Sequence, residues 1–351
     1  MNNLLKLLLF LIPNRRSDVI ISMFRSTNNT GPSRFLNNLV TNSNLKYSRF
    51  GLINSKFLFV ISNTSPYILS LAKLLGKKIV VRVDGFSYMK RYLHRKEGVY
   101  DSRKMSLKRL KINYQMAVTQ YYADLVIFQS DFSRKMSTKH IYPDTKDNVL
   151  IYNGVDEEHF RCTKNYESPK ISILGNFRDV DLMDLYLQAF RRVSKKYPDS
   201  ELLIIGNQNS EVQSITSNFL SSFGVSEKLN IKNIGSVTYE ELPNYLAEAN
   251  IGWHFTLWDW CPNSVLEQLA SGNPIIYAQA GGTVELVGDA GKSIDTEDLT
   301  VTDELLETIV SNTQHIWENI EYYNKLAVHR VKSEFGLKKM ALNYEKVFNN
   351  I

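Results

Sequence analysis

Residues 251–278 read IGWHFTLWDWCPNSVLEQLASGNPIIYA, and the order of apolar and polar positions in this stretch decides the class of fold. The apolar run at 251–255 is short, as a strand buried on both faces is. Helical spacing follows at 264–271, then a Ser-Gly-Asn-Pro break and a second apolar run at 274–278. Strand, helix and strand in this order make a crossover unit, which calls for a parallel sheet covered by helices. Asp259 and Glu267 stand on either side of the helix start at Cys261-Pro262-Asn263-Ser264. A helix beginning there points unbonded backbone N–H groups at an anion. A capping box formed by Ser264 and Glu267 is the alternative account of the glutamate.

The same rhythm runs through the rest of the chain. With 351 residues, the length suits two domains of ~150 residues each. Strands are expected at 19–24, 57–62, 78–83, 125–128 and 148–152, with helices at 32–41, 67–76, 106–122 and 131–138. In the second half, strands are expected at 171–174, 201–205 and 231–234, with helices at 181–196, 211–222 and 239–249. Residues 300–349 read as helical with an amphipathic end. The expectation is α/β with two doubly wound parallel sheets: 1–165 as one domain, 166–335 as the second, and 336–351 as a C-terminal helix returning to the first. No G-x-G-x-x-G follows the first strand, and no G-x-x-x-x-G-K-[ST] occurs, which argues against a dehydrogenase and a P-loop NTPase.

Charge divides the chain as well. Residues 1–160 carry 25 Lys+Arg against 11 Asp+Glu, a net +14, while the remainder carries a net −8. Two halves of opposite sign point to two domains with different partners. Nine basic side chains lie in 90–111, among them Lys104, Lys108, Arg109 and Lys111, with only Glu97 and Asp101 opposing them. Without a nucleic-acid-binding motif, this segment reads as facing an anionic membrane surface. The run LLKLLLFLI at 4–12 is too short for a spanning helix, which needs ~20 apolar residues, and lacks the flanks of a cleaved signal. It is read as a buried or interfacial helix. The two cysteines, Cys162 and Cys261, form no C-x-x-C, and the histidines show no metal-binding spacing. The single D-x-D, Asp179-Val180-Asp181, sits at a helix start where acids favour the helix dipole, so no metal is expected.

In combination, these motifs resemble glycosyltransferase family 4, retaining enzymes of the GT-B fold. The resemblance rests on Asp259 and Glu267 seven residues apart, Leu266-Glu267-Gln268-Leu269-Ala270-Ser271-Gly272-Asn273-Pro274-Ile275-Ile276, Gly281-Gly282-Thr283-Val284-Glu285, Asn153-Gly154-Val155-Asp156 with Phe160, Leu203-Ile204-Ile205-Gly206, and Ala123-Asp124 with Ile127 and Ser130. It implies two Rossmann-like domains facing across a cleft, with a nucleotide-diphosphate sugar on the second. By resemblance, Glu267 would hold the donor ribose, Asp259 the transferred sugar, and Pro262, Asn263 and Ser264 the sugar and phosphate. Gly175 would lie beside the donor, and Arg178 would pair with the departing diphosphate. Two positions depart from the family pattern: Asp259 replaces the usual glutamate, and no lysine follows Arg178 in 180–184, which leaves the diphosphate to Arg178 and backbone amides, or to a lysine elsewhere.

In the first domain, the polar loop 26–34 opens a helix, and Thr30, Gly31 and Arg34 are acceptor candidates. Arg82 and Asp84 end a strand on the same edge, where ligands of open α/β sheets sit. Asp84 is read as an acceptor-hydroxyl ligand or base. The function expected is sugar transfer to a glycan or lipid-linked acceptor in cell-surface polysaccharide synthesis, by a cytoplasmic protein peripheral to the membrane, without cofactor or nucleic-acid partner. The alternatives are a nucleotide-sugar epimerase of the same fold and a catalytically silent sugar- or membrane-binding module.

Overall fold

The computed structural model describes residues 18–21, 31–48, 51–86, 106–143, 145–160, 164–222, 229–296 and 298–351. The chain forms two compact units, Met1–Gly154 with Leu337–Ile351, and Val155–Gly336. The first division falls ahead of the expected 165/166 boundary. The cause is local: Val155 bridges Gly336, and its N–H donates to the Phe335 carbonyl at 2.9 Å. Phe160, fully buried, packs edge-on against Tyr239 of the same unit. The chain has therefore entered the second unit before the expected linker.

The first unit contains β1 (Val19–Ile21), α1 (Gly31–Asn42), β2 (Tyr47–Ser48), β3 (Phe57–Ile61), α2 (Pro66–Leu74), β4 (Lys78–Val83), α3 (Leu107–Tyr122), β5 (Leu125–Phe128), α4 (Asp131–His140) and β6 (Asp147–Leu150). Its sheet is parallel throughout, in the order β2-β1-β3-β4-β5-β6. All five residues of β3, FLFVI, are buried, as expected of a strand covered by helices on both faces. Asp124 and Ser130 do structural work here: the Asp124 carboxylate accepts from Ile79 N at 2.7 Å, and the Ser130 hydroxyl caps α4 by accepting from Ser133 N at 2.9 Å.

The second unit contains β7 (Lys170–Leu174), α5 (Val180–Lys196), β8 (Glu201–Ile205), α6 (Ser210–Ser221), β9 (Ile231–Gly235), α7 (Leu242–Glu248), β10 (Ile251–His254), α8 (Asn263–Ala270), β11 (Ile275–Ala278), α9 (Thr283–Val287), β12 (Gly291–Ile294), α10 (Asp303–Glu318) and α11 (Ile320–Arg330). The order of its parallel sheet is β12-β11-β10-β7-β8-β9. The strand order reverses between β7 and β10, the place where doubly wound sheets open a crevice at their carboxyl ends. After a π turn at Val331–Phe335, α12 (Leu337–Asn349) returns to the first unit. Leu337, Met340, Tyr344 and Phe348 form its apolar face, and the Phe348 ring lies 4.9 Å from Phe57 and 5.1 Å from Phe59. Among the described residues no helix is long and apolar enough to cross a membrane.

Candidate functional site

The reversal point of the second sheet gathers most of the expected donor residues. Gly175 and Arg178 follow β7, Asp259 follows β10, and the two strands are neighbours. Gly175 N donates to Ile205 O at 3.1 Å, and Phe177 N to Asn207 O at 2.8 Å, so the β7 and β8 loops run side by side. The approach is close enough to require glycine at 206, where φ is +129° and a Cβ would fall 1.8 Å from Gly175 O. Arg178 is exposed at the start of α5. The Asp179 carboxylate accepts from the N–H groups of Asp181 and Leu182 and so caps α5. Among the described residues no group of three His, Cys, Asp or Glu is arranged to hold a metal ion.

Beneath the β10 loop lies an aromatic floor. Tyr186 stacks on Phe255 at 4.8 Å, and its hydroxyl accepts from Phe255 N at 2.9 Å. Burial pushes the Tyr186 phenol up, so it stays neutral. The loop then passes through Trp258 at φ +53°, a left-handed backbone unusual for a large residue. Asp259 comes next. Burial pushes its carboxyl up to about 6, against the opposing effect of hydrogen bonds from Trp260 N and Cys261 N. His254 Nε2 lies 3.9 Å from Asp259 Oδ2, and burial pushes that imidazole down to about 4. At neutral pH the pair is a neutral histidine beside a mostly ionised carboxylate. His254 falls within the expected strand at 251–255, and nothing in the sequence signals this contact.

The helix α8 begins at Asn263, with Pro262 as its N-cap and no side-chain cap bond. Ser264 is therefore its second residue, and the capping box is not formed. Glu267 lies inside the helix and is 5% exposed, so a different reason is needed for an acid at this position. Gly281 and Gly282 clamp the loop from the other side. Gly282 N donates to Asp259 O at 2.7 Å, and a Cβ on Gly281 would fall 2.6 Å from that same oxygen. The Gly-Gly motif thus holds the backbone of Asp259, a role to which the sequence reading assigned no residue.

The first unit has its own polar cluster at the carboxyl ends of β3 to β6. Arg82 is 2% exposed, with its guanidinium 3.7 Å from the Phe35 ring centroid. It donates to Asp84, to Asn153 Oδ1 at 2.6 Å and to Gln129 Oε1 at 3.3 Å. Arg82, an acceptor candidate in the sequence, is held inside the unit with its fork taken up by these neighbours. Burial raises the Asp84 pKa, opposed by Arg82 and by a hydrogen bond with Ser62. Ser62, at φ +63°, is with Trp258 one of the two non-glycine residues of positive φ among those described. Both strained positions adjoin a candidate acid. Gly31 and Arg34 lie in the first turn of α1; Thr30 is outside the described residues. Lys108, Arg109 and Lys111 lie on α3, and Lys104, the run at 4–12 and most of the basic segment are outside the described residues. Gln129 and Asn153, which complete the Arg82 network, were not singled out as ligands because only the tertiary fold brings them together.

Residues 168–315 match the family model of the glycosyl transferases group 1. An uncharacterised glycosyltransferase of Methanocaldococcus jannaschii is 23% identical over 194 residues, which are 52% of this chain and 44% of that protein. The chain thus spans less than half the length of this curated relative. Among solved structures, sucrose-phosphate synthase from Thermosynechococcus elongatus has a TM-score of 0.65 at 14% identity, covering 91% of this chain and 77% of that one. HepE of Anabaena, solved with UDP and glucose, has a TM-score of 0.65 at 11% identity, covering 95% and 100%. At these identities the structural likeness establishes the fold, α/β of the GT-B type.

Proposed function

We propose, with residues 168–315 as a group 1 glycosyl transferase domain, that this protein moves a sugar from a nucleotide-diphosphate sugar to an acceptor hydroxyl. The observation that carries the reading is the convergence of Arg178, Asp259 and the α8 start on the reversal point of the second sheet. In this reading the donor diphosphate lies against the first N–H groups of α8, at Asn263 and Ser264, with Arg178 supplying a full charge. Gly175, where an added Cβ would meet nothing within 4 Å, lies open beside the donor. Glu267 accepts from the ribose hydroxyls, and Asp259 accepts from a hydroxyl of the sugar. As the bond from the anomeric carbon to the diphosphate oxygen breaks, its electron pair goes to the diphosphate, and Arg178 stabilises the charge that grows there. The acceptor oxygen takes the anomeric position, with retention, and its proton passes to the leaving phosphate.

The acceptor in this reading is a glycan or lipid-linked sugar of cell-surface polysaccharide synthesis, met by the first unit. The +14 balance of residues 1–160 supports a site of action at an anionic membrane on its cytoplasmic side. Incubation with labelled nucleotide sugars and a lipid extract tests the reading: label is expected to move to the extract, with release of nucleoside diphosphate. Conversion of the donor to an epimer, or binding with no turnover of any donor, contradicts it.

A further inference from the structure

The helix α3 carries a surface that sugar transfer does not use. Along Leu107–Tyr122, the side chains of Asn113, Met116, Thr119 and Gln120 are buried. Leu107, Tyr114 and Tyr121 are instead 85%, 69% and 61% exposed. They recur at intervals of seven residues, close to two full helical turns, and so form one outward stripe. Lys108 and Lys111 are exposed at its N-terminal end, and the sequence of the helix, LKRLKINYQMAVTQYY, contains no acid. At the far end, Lys146 Nζ lies 5.8 Å from the Tyr121 ring centroid. The neighbouring α2, joined to α3 through Ser70 and Tyr122 at 3.1 Å, adds exposed Tyr67 and Leu74. A surface helix in water ordinarily turns its polar face outward. This one turns outward large apolar and amphipathic side chains, with exposed lysines at its N-terminal end and no acid along its own length.

We propose that the outward stripe of α3 is a docking face for an anionic lipid bilayer. Leu107, Tyr114 and Tyr121 enter the boundary between headgroups and acyl chains, where a ring with an apolar body and a polar hydroxyl is well placed. Lys108 and Lys111 lie against the lipid phosphates. Charge complementarity selects this occupant, since the lysines meet lipid phosphates, whereas a second copy meeting the stripe through the same face would set Lys108 and Lys111 against their own counterparts. The proposal deepens the membrane-facing reading of the first unit and needs neither donor nor acceptor, so a failure of the transfer reading leaves it standing.

Co-sedimentation of the full chain with phosphatidylglycerol–phosphatidylcholine vesicles, against phosphatidylcholine alone, is the test. The wild type is expected to bind the anionic vesicles, and less so when the Debye length falls from ~10 Å at 0.1 M salt to ~3 Å at 1 M. Lys108→Gln with Lys111→Gln is expected to weaken binding by roughly tenfold or more, and Leu107→Ser with Tyr114→Ser and Tyr121→Ser to weaken it comparably. Thermal unfolding checks that the variants fold, and Tyr114→Ser alone carries the test with a smaller loss if the triple variant does not. The proposal is overturned if the stripe variants bind like wild type, or if the wild type binds zwitterionic vesicles equally well. It is also overturned if the wild type ignores vesicles and forms a dimer that the stripe variants dissolve.

Discussion

Asp259 and His254 have opposite linkage to pH although they lie 3.9 Å apart. Between pH 4 and 6 the folded chain keeps a proton on Asp259, pushed up to about 6, that an unfolded carboxyl of ordinary pKa 3.8 has lost. Stability from this group therefore falls as pH rises through that window. An unfolded imidazole near 6.5 takes up a proton that buried His254, pushed down to about 4, refuses, so its contribution rises with pH over the same range. Asp259→Asn removes the first slope and leaves the second. Urea unfolding is expected to show the variant gaining on wild type as pH goes from 4.5 to 7; a difference independent of pH contradicts the raised pKa of Asp259. Glu267→Gln keeps the shape of the side chain, and the absence of a capping box leaves α8 without a reason to unravel. Its unfolding midpoint is expected to hold while nucleotide-sugar binding falls by roughly tenfold or more, the ~1.5–3 kcal/mol of a hydrogen bond to a charged group. The fluorescence of Trp258 and Trp260, on either side of Asp259, reports that binding. Equal loss of stability and binding returns Glu267 to a structural role. The sequence marked both acids through their spacing, but not the histidine contact, which joins a strand residue to a loop residue.

At the level of elements, legibility followed burial. The strands β3, β4, β8 and β11 read clearly because helices cover both faces, leaving near-continuous apolar runs. The edge strands β2, only Tyr47–Ser48, and β12, Gly291–Ile294 with a lysine and a serine inside, carry no such run and were not foreseen. Residues 300–349 have the expected helical character, yet α10, α11 and α12 are separate, with breaks at Asn319 and at the π turn Val331–Phe335. No proline stands in that stretch to announce them. The α8 loop depends on α9 through Gly281, whose φ of +75° and contact with Asp259 exclude a side chain. Gly281→Ala is expected to destabilise the second unit by about 1–3 kcal/mol and to weaken donor binding with it. Chemical unfolding and fluorescence titration measure the two effects, and a variant that binds donor like wild type contradicts the clamp.

On the scale of the molecule, the chain order and the spatial order differ, because α12 follows the second unit but belongs to the first. A chain ended at Gly336 loses the side chains of Leu337, Met340, Tyr344 and Phe348 from the core around β3. At about 1.5–3 kcal/mol for each large apolar side chain, that loss rivals the ~5–15 kcal/mol by which a domain is stable. The truncated chain is expected to lose the unfolding transition of the first unit while the second, which contains all four tryptophans, keeps its own. Calorimetric scanning reads both, and retention of two transitions contradicts a structural role for α12. The amphipathic spacing of this helix was legible in sequence; the partners of its apolar face are not, since Phe35, Phe57 and Phe59 lie some three hundred residues away. The proposed nucleotide-sugar site draws on residues of the second unit alone, and Arg178 is its one proposed full positive charge. Isothermal titration of the whole chain with a panel of nucleotide-diphosphate sugars is expected to find at least one that binds, with affinity reduced about tenfold or more by Arg178→Ala; no binding by any of them, or binding that Arg178→Ala leaves unchanged, contradicts the site.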